Sequence, residues 1–336
     1  MVKIVIDCYG GDSGQRVTVP GGLDAIKKYN DLSIVFTGKK DEIEREMESI
    51  PLTEDEKARV SIADAPNVVD MNEAPTVAIR RTDTSLAAAI SAVKQDDADG
   101  MISLGSTGAV LTGAVLKIGR IRGVMRPACC PVLPTMNKGL VGVCDSGANA
   151  ECKPEYLRQF AVMGSRYMEC CYGVKNPRVA LLNIGTEEEK GDELHKEAYV
   201  LLKNTDGINF VGNMESRDLL SGKYDLVVCD GFSGNVLLKA TEGACLEMLK
   251  MLKREMTSSL KNKIGALFLK KSIMAQKEFM DYRNYGGAVL LGTKKLVVKC
   301  HGNGDRKSVF KCAEQIYLMT KSGVNERIAS DLTRFE

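Results

Sequence analysis

Gly100-Met101-Ile102-Ser103-Leu104-Gly105-Ser106-Thr107-Gly108 is the stretch on which the fold turns. A short apolar run meets Gly-Ser-Thr-Gly, and an apolar helical pattern begins directly after it. A run this short and largely apolar reads as a strand, and several such runs in the chain are continuously apolar, which suits parallel strands buried on both faces. The phrase recurs along the chain. Leu181–Ile184 leads into Gly185-Thr186-Glu187-Glu188-Glu189-Lys190-Gly191, and Leu226–Cys229 into Asp230-Gly231-Phe232-Ser233-Gly234-Asn235. Val297–Cys300 leads into His301-Gly302-Asn303-Gly304-Asp305, and Val2–Ile6 into Asp7 and then Gly10-Gly11-Asp12.

Outward from these repeats, Ser33–Phe36, Ala128–Leu133, Leu140–Cys144 and Asn209–Val211 also read as strands. Helical patterns fall between them at Leu86–Lys94, Glu155–Tyr172, Glu193–Lys203, Val236–Lys253 and Ser308–Lys321. Alternation of this kind predicts right-handed βαβ units and an α/β fold: a doubly wound, mostly parallel sheet in a three-layer α/β/α arrangement. The sequence has no fixed-period repeat, low-complexity tract or Pro/Gly/Ser linker, so residues 1–336 are expected to form one intertwined domain.

Composition narrows the function. With 46 Lys+Arg against 44 Asp+Glu, the net charge of +2 speaks against a nucleic-acid binder built on a global basic field. The apolar start at Val2–Ile6 is too short for a signal-peptide core, and no run reaches the roughly 20 apolar residues of a spanning helix. A cytoplasmic protein is expected. Its 11 cysteines are odd in number, never form Cys-x-x-Cys and mostly lie in apolar runs, so they read as reduced core residues. No metal site is expected, because neither His195 nor His301 stands at ligand spacing from a cysteine pair.

The carboxyl ends of parallel strands line one crevice. Glycine there lets backbone come close to a ligand, and following helices aim N–H groups and positive dipole at it. Ser, Thr and Asn add hydrogen bonds, and Lys190 and His301 add charge, so the crevice suits a phosphate-sized anion. The same glycines also serve tight βα turns and helix caps, and which loops face a ligand stays open here. No Gly-x-x-x-x-Gly-Lys-Ser/Thr, Gly-x-Gly-x-x-Gly or Gly-x-Ser-x-Gly occurs, which disfavours a P-loop enzyme, weakens a dinucleotide enzyme and leaves little scope for a serine hydrolase. Cys8, at a strand end, is a candidate thiolate with no base identifiable beside it.

The motifs in order resemble bacterial phosphate acyltransferases of the PlsX type, over nearly the whole chain. The matching stretches include Val5–Asp12, Gly105–Gly108 with Gly119-Arg120-Ile121, Arg126-Pro127-Ala128, Asp145-x-Gly147-Ala148-Asn149 and Cys152-Lys153-Pro154. They continue through Gln159–Gly164, Leu182-Asn183-Ile184-Gly185, Lys190-Gly191, Cys229–Asn235, Tyr285–Ala288 and His301-Gly302. Departures are Cys8-Tyr9 for the family's Ala-Met, Ser106 and Asp192 for Asn, Ser146 for a hydrophobic residue, and Asn303-Gly304 for Ser-Ser. Asp192 would repel phosphate if it pointed inward.

The resemblance implies the fold shared by isocitrate/isopropylmalate dehydrogenases and phosphate acetyltransferases. It implies conversion of a long-chain acyl-[acyl-carrier protein] and inorganic phosphate into acyl phosphate and free carrier, for phospholipid synthesis, with no cofactor. Phosphate would attack the thioester directly, and a thiol leaving group with a pKa of about 8.5 needs no strong acid. The expected catalytic residues are Lys190, His301, Asp230 and Asn235. Gly10, Gly11, Asp12, Ser106, Thr107, Gly108, Asn149, Asn183, Gly185, Gly231, Ser233 and Gly234 are the expected substrate and phosphate contacts. The rival readings are a short-chain phosphate acyltransferase acting on coenzyme A esters, a nicotinamide-dependent decarboxylating dehydrogenase and a non-catalytic adaptor for the carrier protein.

Charge is unevenly spread. Met256–Lys277 has no acid and five lysines, Lys261, Lys263, Lys270, Lys271 and Lys277, with Met256, Leu260, Ile264 and Leu267 at helical spacing and Phe268 beside them. A basic amphipathic helix of this kind lies on anionic bilayers, and a solvated core or dimer helix is the alternative. The resemblance implies that residues 254–280 project from a homodimer and touch the membrane through Leu260, Ile264, Leu267 and Phe268.

Overall fold

The computed structural model describes residues 1–95 and 98–333. Its strands are β1 (Val2–Asp7), β2 (Leu32–Gly38), β3 (Val60–Asp64), β4 (Gly100–Ser103), β5 (Ala128–Cys130), β6 (Val132–Pro134), β7 (Leu140–Cys144), β8 (Arg178–Asn183), β9 (Asn209–Glu215), β10 (Leu226–Val228), β11 (Ala288–Leu291) and β12 (Leu296–Lys299). They form two sheets where the alternation predicts one large one. A seven-stranded sheet has the order β3-β2-β1-β4-β12-β11-β5, and a five-stranded sheet the order β6-β7-β10-β8-β9. Pairing is parallel except around β11 and between β6 and β7, so the α/β, mostly parallel class holds.

The run Ala128–Leu133 explains the division. Read as one strand, it is two, broken at Pro131, which has no N–H to continue a ladder. β5 pairs with β11 in the first sheet, and β6 pairs with β7 in the second. The chain therefore changes sheets at a single proline. Sequence periodicity also passes over β3 and β11. β3 is a half-buried edge strand with an alternating, partly polar sequence, so it lacks the continuous apolar run.

Central strands are buried on both faces, as their composition requires: Ile4, Val5 and Ile6 of β1 are fully inaccessible, as are Val227 and Val228 of β10. Helices cover them. The Gln15–Lys28 and Arg306–Ser322 helices pack together on the first sheet, where Leu23, Ile26, Val309 and Ile316 are buried. The Pro154–Tyr172 helix covers the second; its proline sits in the first turn, where no N–H is missed, and Gly173 ends it at φ 66°. The Gly231–Met256 helix starts five residues before the predicted Val236, because Asp230 caps it. The Leu260–Phe279 helix that follows contains no buried residue.

Candidate active site

β1, β4 and β12 lie next to one another and run parallel, so their carboxyl ends stand side by side. The loops leaving them touch through backbone. A Cβ on Gly10 would sit 2.6 Å from Gly105 Cα, and one on Gly11 would sit 2.5 Å from Gly302 O. Asp12 N donates to Gly302 O at 2.9 Å. Glycine at 10 and 11 is thus required by contact between loops. Beneath them Ser103 Oγ donates to buried Asp7 at 2.7 Å and accepts from Gly105 N at 3.1 Å, which fixes the start of the Gly105–Gly108 loop. Burial raises the Asp7 carboxyl above its ordinary value. Ser106 precedes the Thr107–Gly113 helix but makes no side-chain cap bond to it.

A second group forms at β7, β10 and β8, which are also adjacent and parallel. Asp145 is fully buried and accepts from Cys129 N at 2.8 Å, Ala148 N at 3.1 Å, Asn149 N at 2.7 Å and Asn149 Nδ2 at 2.9 Å. Burial raises its pKa, against the hydrogen bonds that lower it. Asn149 also donates to Pro127 O at 2.8 Å and accepts from Gly231 N at 2.7 Å, so its polar groups brace the loop. Asp230 accepts from Ser233 N at 2.9 Å and caps the helix, while Asn235 donates to Ser146 O at 3.2 Å. Gly231 and Gly234 lie in that helix's first turn, where a Cβ on Gly231 would meet Asn149 O at 2.6 Å and one on Gly234 would overlap Asp145 O.

At the end of β8, Asn183 donates to Lys190 O at 3.0 Å and accepts from Ile184 N at 2.8 Å. The Gly185–Lys190 loop thereby folds back on itself, with the Lys190 side chain exposed. Asp192 is engaged elsewhere: it caps the Glu193–Lys203 helix through His195 N at 3.1 Å and pairs with His195 Nδ1 at 2.6 Å. The His195 ring, first among the causes, holds the Asp192 carboxyl below its ordinary value.

His301 joins the two groups. Its Nε2 lies 3.7 Å from Glu242 Oε1, so a loop of the first sheet meets the helix that rises from the second. Ala148, in the second group, packs against the apolar cluster behind the first sheet. Burial lowers the His301 pKa below 6.5 despite Glu242, and at neutral pH the ring is a hydrogen-bonding group rather than a cation. Cys8 is fully buried, and burial pushes its thiol well up, which removes it as a thiolate nucleophile.

Sequence reading missed Lys299. It is the last residue of β12, and its ammonium lies 3.4 Å from Leu104 O and against Cys300 O, at the root of the Gly105–Gly108 and His301–Gly302 loops. Burial lowers its pKa below 10.5, against Cys300, Cys312, Cys129 and Asp7, which raise it. The signal was present: Lys299 is the one charge in the apolar run Leu296–Cys300. Among the described residues, no group of three or more His, Cys, Asp or Glu is arranged to hold a metal ion.

Two sets of glycine-lined strand ends therefore share one region, with Lys299 at the root of one and a polar histidine between them. Comparison with known proteins agrees with that architecture. The fold is similar to a phosphotransacetylase from Streptococcus pyogenes, with a TM-score of 0.64 at 16% identity, over 95% of this chain and 94% of that one. It is also similar to a protein from Salmonella typhimurium described as a 4-hydroxythreonine-4-phosphate dehydrogenase, with a TM-score of 0.52 at 13% identity, over 94% and 99%. In sequence, the chain is 44% identical to a phosphate acyltransferase of Clostridium tetani, over 100% of this chain and 99% of that one. A phosphate acyltransferase of Bacillus cereus is 45% identical over 98% of each chain. Residues 2–327 match the family described as fatty acid synthesis protein, and with full-length relatives at these identities the chain belongs to the phosphate acyltransferases of that family.

Proposed function

We propose that this acyltransferase takes a long-chain acyl group from acyl-[acyl-carrier protein] to inorganic phosphate, supplying acyl phosphate for phosphatidic acid synthesis. The observation that carries the mechanism is a polar, glycine-lined crevice whose strand-end cysteine, Cys8, is buried with its thiol pKa raised. Phosphate then acts as the nucleophile. One of its oxygens bonds to the thioester carbon, the carbonyl becomes a tetrahedral oxyanion, and collapse breaks the C–S bond. The proton carried by phosphate passes to the departing thiolate, leaving free carrier thiol.

The protein's part is placement and charge stabilisation. Lys299 supplies buried positive charge at the base of the crevice, neutral His301 donates to the oxyanion, and Lys190 closes over the phosphate from the β8 loop. Gly10–Asp12, Ser106–Gly108 and Gly185 provide backbone and hydroxyl donors. Asp145, Asn149, Asn183, Asp230 and Asn235 hold the loops in register, a role supported by their hydrogen bonds within the protein.

Residues 254–280 form a peripheral membrane contact on a homodimer, within a single domain spanning residues 1–336. Leu260, Leu267 and Phe268 are 76%, 69% and 84% exposed among lysines, which supports an anionic bilayer surface as partner. Among the described residues, no helix is long and apolar enough to cross a membrane. The test is incubation with palmitoyl-[acyl-carrier protein] and phosphate, following acyl phosphate and free carrier thiol. Turnover of acetyl- or butyryl-coenzyme A alone would replace this reading with the short-chain one, and a trapped acyl-enzyme would remove direct attack.

A further inference from the structure

A cleft of about 300 Å³ runs beside the Gly231–Met256 helix. Thr241, Cys245 and Leu249 line one row of that helix, and Glu242 and Leu246 the adjacent row. The opposite walls are Leu133 and Pro134 of edge strand β6, Leu220, and Met280 just past the Leu260–Phe279 helix. Polar groups stand at its ends. Glu242, paired with His301, and Asn303 mark the crevice end, and Lys277, of the Leu260–Phe279 helix, lines the cleft together with Asp281 and Arg283. From Thr241 to Leu249 the helical row is about 12 Å long. A larger depression of about 730 Å³, lined by Lys40, Met47 and Leu52 beside β3, includes none of the glycine loops.

We infer that this cleft holds the aliphatic tail of the acyl substrate, with the thioester at the His301 end and the chain running along the Thr241–Leu249 row. The inference rests on the long-chain reading above and names its tail site. Three features select a linear alkyl chain. The cleft is too small for a folded partner and lies at the lower limit of small-ligand pockets. Much of its lining is apolar, with Leu133, Leu220, Cys245, Leu249 and Met280 among it, while the charged Asp281 and Arg283 in the lining pair with each other at 2.6 Å. It also begins at His301, where the reacting head group would sit, and ends beside the helix of exposed apolar residues from which a lipid tail would enter or leave.

The experiment compares kcat/KM for palmitoyl- and acetyl-[acyl-carrier protein] in the wild type, Cys245→Trp, which fills the cleft, and Leu246→Glu, which charges its partly exposed wall. The expected result is a loss of at least 20-fold on palmitoyl substrate in both variants, with acetyl turnover changed less than twofold. N-ethylmaleimide labelling of Cys245, without phosphate, should be slowed at least fivefold by palmitoyl-carrier and unaffected by acetyl-carrier. If the wild type uses palmitoyl-carrier but the variants keep its chain-length ratio and Cys245 is not protected, the tail site is wrong while the reaction stands. If the wild type does not use palmitoyl-carrier, the long-chain reading fails and the tail site falls with it.

Discussion

Gly234 and Gly265 occupy consecutive long helices in opposite surroundings. A Cβ on Gly234 would overlap the Asp145 carbonyl and lie 2.7 Å from Cys229 Sγ, whereas one on Gly265 would meet nothing within 4 Å. The first belongs to strand-end loops locked by backbone contact and buried carboxylates. The second belongs to a helix with no buried residue, carrying lysines and exposed leucines. One region is over-determined by its packing, and the other leaves its apolar side chains exposed.

The largest effect should come from breaking the locked region. Gly234→Ala is expected to lower the unfolding free energy by about 3 kcal/mol or more, read from the urea midpoint, because neither Asp145 nor the helix can yield. A midpoint equal to wild type would show that this packing is not what holds the loops. Next is Lys299→Met, expected to reduce kcat/KM about 100-fold by removing the positive charge that the proposed mechanism uses at the base of the crevice. Its pKa is depressed from 10.5, so the ammonium is lost on raising pH earlier than in an ordinary lysine. The alkaline limb of kcat/KM should lie below 10.5 and disappear in the variant. Stability has the opposite sign. The unfolded chain holds this proton more tightly, so the buried charge costs stability at neutral pH, and the cost is relieved as pH rises through the folded value. Lys299→Met should therefore lose activity without losing stability at pH 7, and equal losses of both would mean a structural role.

Smaller effects are expected in the exposed helix. Leu260→Glu with Leu267→Glu should weaken co-sedimentation with anionic vesicles about tenfold or more and leave turnover of soluble carrier substrate within twofold. Undiminished vesicle binding would dispose of the membrane contact. Gly265→Ala should be mildest, strengthening its helix by about 0.5–1 kcal/mol in amide hydrogen exchange. Loss of helix protection there would show that the site is not open.

Much of the fold was legible because strands buried on both faces are dominated by apolar residues, and β1, β4, β8, β10 and β12 are, with β10 apolar throughout. β3 was not, since an edge strand needs only one apolar face. The glycine-rich strand ends were found, but one structural cause of several glycines was not visible in the sequence. Gly10, Gly11, Gly231 and Gly234 are small because other backbone lies against them, a contact between residues far apart in sequence. Lys299 was passed over because one charge in an apolar run is a weak signal, and only the tertiary structure places its ammonium beneath the loops.

The sequence by itself determined the α/β class, the motif order that marks the family, and an acid-free basic segment, because these depend on local periodicity and composition. Tertiary structure alone decided that Pro131 splits one apolar run between two sheets, that Asp192 turns to His195, and that Glu242 meets His301. Each depends on which distant elements share space, and burial then fixes whether a side chain there is charged.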